Sequence, residues 1–472
     1  MKSKVLTLIV GAALTAGAAQ PQTYPPPPKV DAADFGAGIQ RTMTLLATST
    51  PAHRNRVRIL FYGQSITKQE WWEDVAADLR RRFPYADLEI ANVALGGFDS
   101  PRLVRTYEHD VFPFYPDLVI FHDYGDEENY ERIIAGIRQN TTAEILLQTD
   151  HVTWLPPESG EPDSKAMKAK LWHDRHGSEW LPQLARKYGC EVVDVRTAWA
   201  KYLKENRLKP EALLTDGVHL NAHGNFLMAE LVKMHVRQNE RAPETGWRDL
   251  VKTYVVGRDL EWKDGTLQLE FDGNRVEALT TTGGWARNYT RADVLIDGKR
   301  PSEFPELYAI TRASDTFAVD WPGAIRISAE KPLLIEDWTA KILGTDDAAT
   351  KLRFTVSGSR TGPDGEGVST ERFVSKSGRV VIEPGDWHAA RAREYSKKAM
   401  PPNFEFHWSV VPLFTDVYEP PRINDTTREY ATILAQGLAN GRHRLEMRST
   451  TAVLPQIEAI RVYRPPHSEE RR

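Results

Sequence analysis

The sequence predicts a doubly wound α/β domain with a five-stranded parallel sheet, followed by an all-β sandwich region. Short apolar runs alternate with amphipathic helical segments as far as His235. Beyond about Glu244, strand-like pieces recur between Gly, Pro, Asn and Asp turns, and helical periodicity almost disappears. Apolar strands separated by helices are typical of a parallel sheet covered on both faces, whereas short strands between turns are typical of a sandwich.

Length, charge and the first residues limit the protein class. A chain of 472 residues is long for one domain, and its net charge of -4, with both signs interspersed, leaves no basic field for nucleic acid. Residues 1–19 combine two lysines, an apolar stretch and small residues, which predicts a cleavable signal peptide and a secreted or periplasmic protein. That stretch is too short to span a bilayer, and no later run is apolar enough to form a membrane helix.

Four segments are expected along the chain. They are a signal peptide (1–19), a Pro-rich linker with an N-terminal helix (20–50), the α/β domain (51–243) and a β-rich accessory domain (244–472). The tetraproline from Pro25 to Pro28 predicts a stiff, extended linker.

The elements of the α/β domain follow in order. Strands are predicted at 57–62, 88–94, 118–122, 144–149 and 191–195, with helices at 71–83, after Asn129, before Tyr188 and at 225–235. Because ligands bind beyond the carboxyl ends of parallel strands, we expect residues after these strands to share one crevice.

The β-rich region is expected to hold one or two modules. Strands are predicted at 266–271, 292–296, 317–319, 324–328, 352–356, 379–382 and 442–448. Turns are predicted at Asp272-Gly273-Asn274 and Asp297-Gly298-Lys299.

A nucleophile, a base and an orienting carboxylate are available in two distant stretches. Ser65 follows the first strand on a turn opened by Gly63, a residue that a sharp strand-to-helix turn needs. A serine hydroxyl requires an imidazole to take its proton, and the imidazole requires a carboxylate to fix its tautomer. His219 and Asp216, three residues apart, are the candidates, so we expect a serine hydrolase.

These residues resemble the SGNH (GDSL-like) hydrolases. Gly63-Gln64-Ser65-Ile66-Thr67 is similar to the family's first block, the stretch from Asn92 to Ser100 to its second, and Asp216-Gly217-Val218-His219 to its last. The resemblance covers roughly residues 55 to 240. It implies a flavodoxin-like sheet, Ser65 as nucleophile, and an oxyanion hole formed by the N–H groups of Ser65 and Gly97.

Two positions depart from the family pattern. Gln64 replaces the usual aspartate, and Glu127 falls where the third block normally has an asparagine that donates to the oxyanion. A carboxylate facing a developing oxyanion opposes catalysis, so Glu127 is expected to point elsewhere. Asn129 is either a substitute donor or, as we favour, the N-cap of the next helix.

Several aromatic residues allow two interpretations. Trp72 shares a helical stripe with core positions, whereas Trp71 lies off that stripe and is predicted either to edge a sugar site or to be an ordinary surface residue. Trp285 and Trp387 in the β-rich region suit a sandwich core better than sugar stacking.

We predict neither a metal nor a cofactor. His122, Asp123, Asp150 and His151 lie on two loops without a fixed ligand spacing. The single cysteine, Cys190, is expected to be a small buried hydrophobe.

The expected function is a secreted or periplasmic serine esterase that removes acetyl groups from a polysaccharide or oligosaccharide through an acyl-enzyme. The β-rich region weakly resembles the jelly-roll domains that accompany some carbohydrate esterases, and the expected partner is an acylated carbohydrate. Two alternatives stay open: a catalytically impaired carbohydrate-binding protein and a lipolytic esterase. The sequence carries no indication of oligomeric state.

Overall fold

The computed structural model describes residues 23–155, 161, 163–242, 246–280 and 290–467. The predicted signal peptide and Trp285 lie outside these residues. Within them, no helix combines the length and the apolar character needed to cross a membrane.

A five-stranded parallel sheet forms the centre of the α/β domain, as predicted. Its strands are β1 (Arg56–Gly63), β2 (Asp87–Asn92), β3 (Leu118–His122), β4 (Glu144–Gln148) and β5 (Glu191–Val193). They are ordered β2-β1-β3-β4-β5, and every neighbouring pair is parallel. The strand order reverses between β1 and β3, which places the expected ligand crevice beyond the carboxyl ends of these two strands.

Helices cover both faces of this sheet. They are α1 (Gln40–Ala47), α2 (Trp71–Arg82), α3 (Ser100–Val111), α4 (Glu127–Asn140), α5 (Lys165–Arg175), α6 (Leu181–Tyr188), α7 (Val195–Glu205) and α8 (Ala222–His235). Helices α1, α2, α7 and α8 bury their apolar sides in one core, and α3, α4 and α6 in a second core across the sheet. The charges of α2 also suit the helix dipole, because Glu73 and Asp74 lie in its first turn and three arginines in its last.

The Pro-rich segment lies against the α/β domain. The ring of Tyr24 stacks on His223 of α8 at 4.2 Å between centroids, and the Tyr202 hydroxyl of α7 donates to the Pro25 carbonyl at 3.0 Å. Stacking and hydrogen bonding therefore fix the start of the described chain on the domain surface.

Two antiparallel sheets follow, each with its own core. The first belongs to what we call the six-stranded module (residues 251–280, 290–307 and 413–463). Its strands are β6 (Val251–Val255), β7 (Thr266–Thr280), β8 (Ala292–Ile296), β16 (Val417–Tyr418), β17 (Tyr430–Ser449) and β18 (Ala459–Tyr463), ordered β16-β8-β17-β7-β18-β6.

The second sheet lies in a segment placed between β8 and β16, which we call the inserted module (residues 308–412). Its sheet is ordered β12-β11-β10-β15-β9, from β9 (Tyr308–Ile310), β10 (Glu336–Thr345), β11 (Leu352–Gly358), β12 (Gly362–Val368) and β15 (Glu405–Pro412). A separate pair, β13 (Phe373–Val374) and β14 (Val381–Ile382), and the helix α9 (Ala389–Ser396) complete it. The module begins and ends on paired strands, because Tyr308 is registered with Pro412.

Several details of the β-rich region differ from the sequence predictions. Asp272-Gly273-Asn274 is not a turn but lies inside the long strand β7, where the β7–β17 register shifts nearby. Segments 317–319 and 324–328 are not strands; they form a loop with isolated bridges. Helix α9 was not predicted, because it is short and buries only Ala389 and Ala392. The turn at Asp297-Gly298 is present, with both residues at positive φ.

The two β modules contact opposite ends of the parallel sheet. The six-stranded module reaches the amino ends, where Arg428 pairs with Asp87 at the start of β2 and Asn274 donates to the Asn140 carbonyl before β4. The inserted module reaches the carboxyl ends, where Arg312 donates to the Val93 carbonyl at 2.7 Å, just after β2.

Candidate active site

Three predicted residues from two stretches of chain meet beyond the carboxyl end of β1. Ser65 Oγ lies 3.0 Å from His219 Nε2, and His219 Nδ1 lies 2.8 Å from Asp216 Oδ2. The backbone N–H groups of Val218 and His219 donate to Asp216 Oδ1 at 3.1 and 2.8 Å. Hydroxyl, imidazole and carboxylate therefore stand in the hydrogen-bonding order that nucleophilic activation requires.

The turn that presents Ser65 depends on the two residues before it. Gly63 has a φ of 144°, and a Cβ there would collide with the His122 carbonyl on β3, so the position requires glycine. Gln64 is buried, and its Oε1 accepts the Ile66 N–H at 3.1 Å.

Gln64 also accepts a hydrogen bond from the Ser65 hydroxyl. Its Oε1 lies 2.8 Å from Ser65 Oγ, so the hydroxyl proton has two acceptors, Gln64 Oε1 and His219 Nε2. Attack requires the proton on the His219 side. Because Oε1 is fixed as an acceptor by the Ile66 N–H, the Gln64 amide NH₂ donates to His122 Nδ1 at 2.9 Å.

Hydrogen bonds within the loop that carries His219 keep the Asp216 carboxylate ionised. Hydrogen bonds from the His219 backbone N–H and ring, and from the Val218 N–H, lower the pKa of Asp216 to about 2. The carboxylate is therefore ionised at neutral pH, so His219 Nδ1 carries a proton and Nε2 is free to accept one. Below this loop, His151 Nε2 donates to the Val218 carbonyl at 2.8 Å, and burial lowers the pKa of His151 to about 4.

Two backbone N–H groups near the Ser65 hydroxyl, those of Ser65 and Gly97, have no acceptor among the described residues. Gly97 has a φ of 71°, which favours glycine, and a Cβ on Gly96 would lie 3.8 Å from Ser65 Cβ. Both N–H groups are thus free to donate to charge that develops next to Ser65.

In the third block, the residue at the usual asparagine position, Glu127, does not line the cavity beside Ser65. Tyr124 and Gly125, rather than Glu127, line the cavity beside Ser65. Glu127 points away, as predicted, and pairs with Arg175 of α5. The N-cap of α4 is Asp126, which accepts the Asn129 N–H at 2.7 Å, so the predicted cap at Asn129 was wrong.

Asn129 does not substitute for the missing donor either. Its amide donates to Asp126 Oδ2 at 3.0 Å and its carbonyl accepts from Arg132, which orients it along the surface of α4. The helix begins one turn earlier than the apolar pattern indicates, because the first turn is built from acidic residues.

The family model described as the GDSL-like Lipase/Acylhydrolase family matches residues 61–226, which contain all of the site residues above. The α/β domain is similar to this family over those residues. It is the domain of an ester-hydrolysing enzyme, an acylhydrolase of SGNH fold.

Solved structures similar to this GDSL-like domain include two hydrolases. One is an acetylxylan esterase from Geobacillus stearothermophilus, with 18% identity over 42% of this chain and 98% of that chain, and a TM-score of 0.33. The other is an alpha/beta hydrolase from the metagenome of Lake Arreo, Spain, with 19% identity over 38% of this chain and 94% of that chain, and a TM-score of 0.32. A comparison with curated proteins finds no match.

Ser65 opens into a cavity of about 720 Å³ whose walls come from both the GDSL-like domain and the inserted module. The GDSL-like domain contributes loops after β1 to β4, together with Trp172 of α5 and Arg196 of α7. The inserted module contributes Val319, Asp320, Trp321 and Tyr395. None of these four was predicted, because residues 317–319 were taken for a strand and α9 shows no apolar stripe.

The other tryptophans of interest lie away from the cavity. Trp71 is fully buried beneath the site, where its Nε1 donates to the Ile66 carbonyl at 2.6 Å, so the predictions of a sugar edge or surface position were wrong. Trp72 packs against the same core, as predicted. Trp387 packs against Phe354 at 4.5 Å between ring centroids and belongs to the core of the inserted module.

Two of the four residues considered as metal ligands, His122 and Asp150, are hydrogen-bonded to each other. His122 Nε2 lies 3.3 Å from Asp150 Oδ1, and His173 lies 3.2 Å from Asp150 Oδ2. Although burial acts against ionisation, the bonds from His122 and His173 hold the pKa of Asp150 well below its usual range. Across the described ranges, no group of three or more His, Cys, Asp or Glu is arranged to hold a metal ion.

Burial raises the pKa of the Cys190 thiol to about 12, so that thiol is not a nucleophile at neutral pH.

A second cavity, of about 250 Å³, lies between the GDSL-like domain and the six-stranded module. Its wall is rich in arginines, but these pair with carboxylates: Arg41 with Asp117, Arg58 with Glu89, Arg275 with Glu277, and Arg461 with Glu429. It is near the amino ends of the strands, on the side of the sheet away from Ser65.

Proposed function

We propose that the protein is a secreted or periplasmic serine esterase that removes acetyl groups from a polysaccharide or oligosaccharide through an acyl-enzyme. The observation that carries this proposal is the chain of contacts from Ser65 Oγ to His219 Nε2 and from His219 Nδ1 to Asp216 Oδ2, at 3.0 and 2.8 Å, at the wall of a large cavity.

The reaction has two halves. In the first, Ser65 Oγ attacks the ester carbonyl carbon while its proton passes to His219 Nε2, and Asp216 stabilises the imidazolium that forms. The carbonyl oxygen becomes an oxyanion that accepts from the N–H groups of Ser65 and Gly97. The C–O bond to the sugar then breaks, and the departing sugar oxygen takes the proton from His219.

In the second half, water attacks the acetyl-Ser65 ester. His219 takes the proton of that water, and the tetrahedral intermediate again places its negative charge near the same two N–H groups. When the bond to Ser65 Oγ breaks, His219 returns the proton to the serine, and acetic acid leaves and loses its proton to solvent at neutral pH. Atoms and charges balance without a metal or a cofactor.

Aromatic residues around the cavity support a carbohydrate substrate. Trp172 and Trp321 line it, as do Tyr124 and Tyr395, whose residues are 39% and 72% exposed. Aromatic faces with a polar tip suit ligands that present both apolar C–H surfaces and hydroxyl groups. Arg196 adds a charged group within the same cavity.

The signal peptide predicted at residues 1–19 supports export. N-terminal sequencing of the mature protein from the periplasm or medium would test this. Retention of Met1 on protein confined to the cytoplasm would contradict it.

Ser65→Ala should abolish ester hydrolysis, because it removes the nucleophile while leaving the turn intact. We expect turnover of p-nitrophenyl acetate to fall by at least about 10³-fold, with thermal unfolding unchanged. A fluorophosphonate probe should label the wild type and not the variant. Wild-type turnover in Ser65→Ala would overturn the assignment, and failure of the wild type to label would favour a catalytically impaired binding protein.

The substrate class is tested separately. Acetate release from a panel of acetylated polysaccharides should exceed hydrolysis of long-chain p-nitrophenyl esters. The opposite preference would favour the lipolytic alternative.

A further inference from the structure

The peptide bond between Gly96 and Gly97 is held by a residue far away in the chain. Trp321 Nε1 of the inserted module donates to the Gly96 carbonyl at 2.7 Å. The next carbonyl, that of Gly97, accepts from Arg391 Nη2 of α9 at 2.6 Å. The two peptide units on either side of the Gly97 Cα are therefore both fixed by the inserted module.

Peptide geometry makes this contact relevant to the proposed oxyanion hole. The Gly96 carbonyl and the Gly97 N–H belong to the same planar trans unit, so they point in opposite directions. Holding the carbonyl on one side consequently aims the N–H toward the other. Hydrogen bonds in series also polarise one another, so an indole N–H on the carbonyl makes the Gly97 N–H a stronger donor.

The Gly96–Gly97 peptide needs contacts from outside its own loop to hold its orientation. Two consecutive glycines impose little restriction on φ and ψ, and Gly97 adopts a φ of 71°. A peptide between two glycines is free to rotate unless its surroundings fix it. A catalytic donor must instead be aligned before the charge develops, because realignment during the reaction costs free energy.

Trp321 is itself rigidly placed. It is 5% exposed, belongs to the core shared with α3 and α4, and carries the Arg391 guanidinium over its ring at 4.9 Å from the centroid. The indole therefore does not depend on bound substrate for its position. Its edge also lines the cavity, beside Gly97.

We propose that Trp321 is a positioning residue for the oxyanion hole, aligning the Gly97 N–H through the Gly96 carbonyl, with Arg391 securing the following peptide. The inserted module then completes the catalytic machinery of the GDSL-like domain rather than serving only as an appended binding unit. This inference rests on the proposed esterase function and on Gly97 as an oxyanion donor.

Trp321→Phe tests the proposal, because phenylalanine keeps an aromatic ring but cannot donate. On p-nitrophenyl acetate, which is too small to need a sugar subsite, we expect kcat to fall about tenfold and KM to change less than about twofold. The inhibition constant of an arylboronic acid should rise by the same factor as kcat/KM falls, because its adduct with Ser65 places a B–O group in the oxyanion hole.

Trp387→Phe is the matched control. Trp387 lies in the core of the same module, and its Nε1 has no hydrogen-bond partner among the described residues. The two variants lose the same atoms, but only Trp321→Phe loses a hydrogen bond. Trp387→Phe should therefore keep wild-type kcat and boronate affinity, and thermal unfolding will report any loss of stability in either variant.

Arg391→Met carries the test if Trp321→Phe does not fold. We expect about a threefold loss of kcat, since it frees only the neighbouring peptide. Arg393→Met, on the same helix, is its control, because the Arg393 guanidinium makes no hydrogen bond to the residues that the structure describes.

Three outcomes separate the possibilities. If Trp321→Phe equals Trp387→Phe in kcat and boronate affinity, the positioning role is wrong while the esterase assignment stands. If Trp321→Phe raises KM alone, Trp321 is only a cavity wall, and the inference is again wrong. If the wild type neither hydrolyses the ester nor binds the boronate, the proposed function fails and the inference fails with it.

Discussion

The two β modules contact the same parallel sheet at opposite ends and with different chemistry. The six-stranded module meets the amino ends through charged groups: Arg428 pairs with Asp87, and Arg275, paired with Glu277 of its own strand at 2.7 Å, lies over the Tyr115 ring. The inserted module meets the carboxyl ends through donors aimed at loop carbonyls, namely Trp321 on Gly96 and Arg391 on Gly97. The first contact lies at the end of the sheet away from Ser65, whereas the second fixes loops next to Ser65.

We therefore expect the amino-end contacts to affect mainly the stability of the protein and the carboxyl-end contacts to affect mainly its catalytic rate. Disturbing the charged contacts at the amino ends should lower the free energy of unfolding and leave kcat unchanged. Disturbing the carboxyl-end contacts should change kcat even where stability is preserved. The following experiments test that separation in order of decreasing expected effect on stability.

Glu277→Gln should have the largest effect. The Glu277 side chain is 2% exposed and accepts from Arg275 and from the Tyr463 hydroxyl, so its removal leaves a buried guanidinium without its countercharge. Removing one partner of a buried pair costs about 3–5 kcal/mol. Urea unfolding should show this loss, while kcat/KM of the folded protein stays at the wild-type value.

Glu366→Gln is the control for this experiment. Its pair with Arg353 lies on the surface of the inserted module, with both side chains more than half exposed. Surface pairs contribute about 0–1 kcal/mol, so this variant should unfold like the wild type. A fall in kcat/KM for Glu277→Gln in conditions where it is fully folded would break the comparison.

His388 should make stability depend on pH at the carboxyl-end contact. Burial, together with Arg391 and Arg102, lowers the pKa of His388 to about 3, so the folded protein keeps it neutral. In the unfolded chain its pKa returns to about 6.5. The unfolded state therefore binds more protons, and stability falls as pH decreases from about 7 to 4.

His388→Asn removes this contribution. The free energy of unfolding of the wild type should fall by about 1–3 kcal/mol more than that of the variant between pH 7 and pH 4. His407→Asn, at an exposed position on the same module, should follow the wild type. Parallel pH profiles for His388→Asn and the wild type would contradict the buried, neutral state of His388.

Lys68→Met should have the smallest effect on stability. Lys68 pairs with Asp320 across the mouth of the cavity, and the two side chains are 47% and 51% exposed. We expect a change below about 1 kcal/mol in the free energy of unfolding, screened further by salt. A larger, salt-insensitive loss would show that this pair, and not only the Gly96 and Gly97 contacts, fixes the inserted module.

The sequence predicted the parts of the molecule that local pattern controls. The five parallel strands follow from apolar runs between helical segments, and Ser65, Asp216 and His219 follow from motifs with a chemical purpose. Gly63 was predicted from the geometry of the turn, and its positive φ agrees.

Contacts between residues far apart in the chain could not be predicted from local sequence patterns. Trp321 and Arg391 reach Gly96 and Gly97 from more than 200 residues away, and nothing in their own neighbourhoods distinguishes them from core residues of a β-sandwich. Residues 317–319 are apolar because they face the cavity and a core, and the resulting apolar run resembles that of a strand. Asp126 was missed as a cap because the first turn of α4 has no apolar residue to mark it.

The two ends of the inserted module lie next to each other. Tyr308 is registered with Pro412, and the Leu413 N–H donates to the Leu307 carbonyl at 2.9 Å. The two chain connections between this module and the six-stranded module therefore lie side by side. A change in the length of chain between these connections leaves the path of the six-stranded module unaltered, which offers a simple evolutionary route to new substrate ranges around the same Ser65 site.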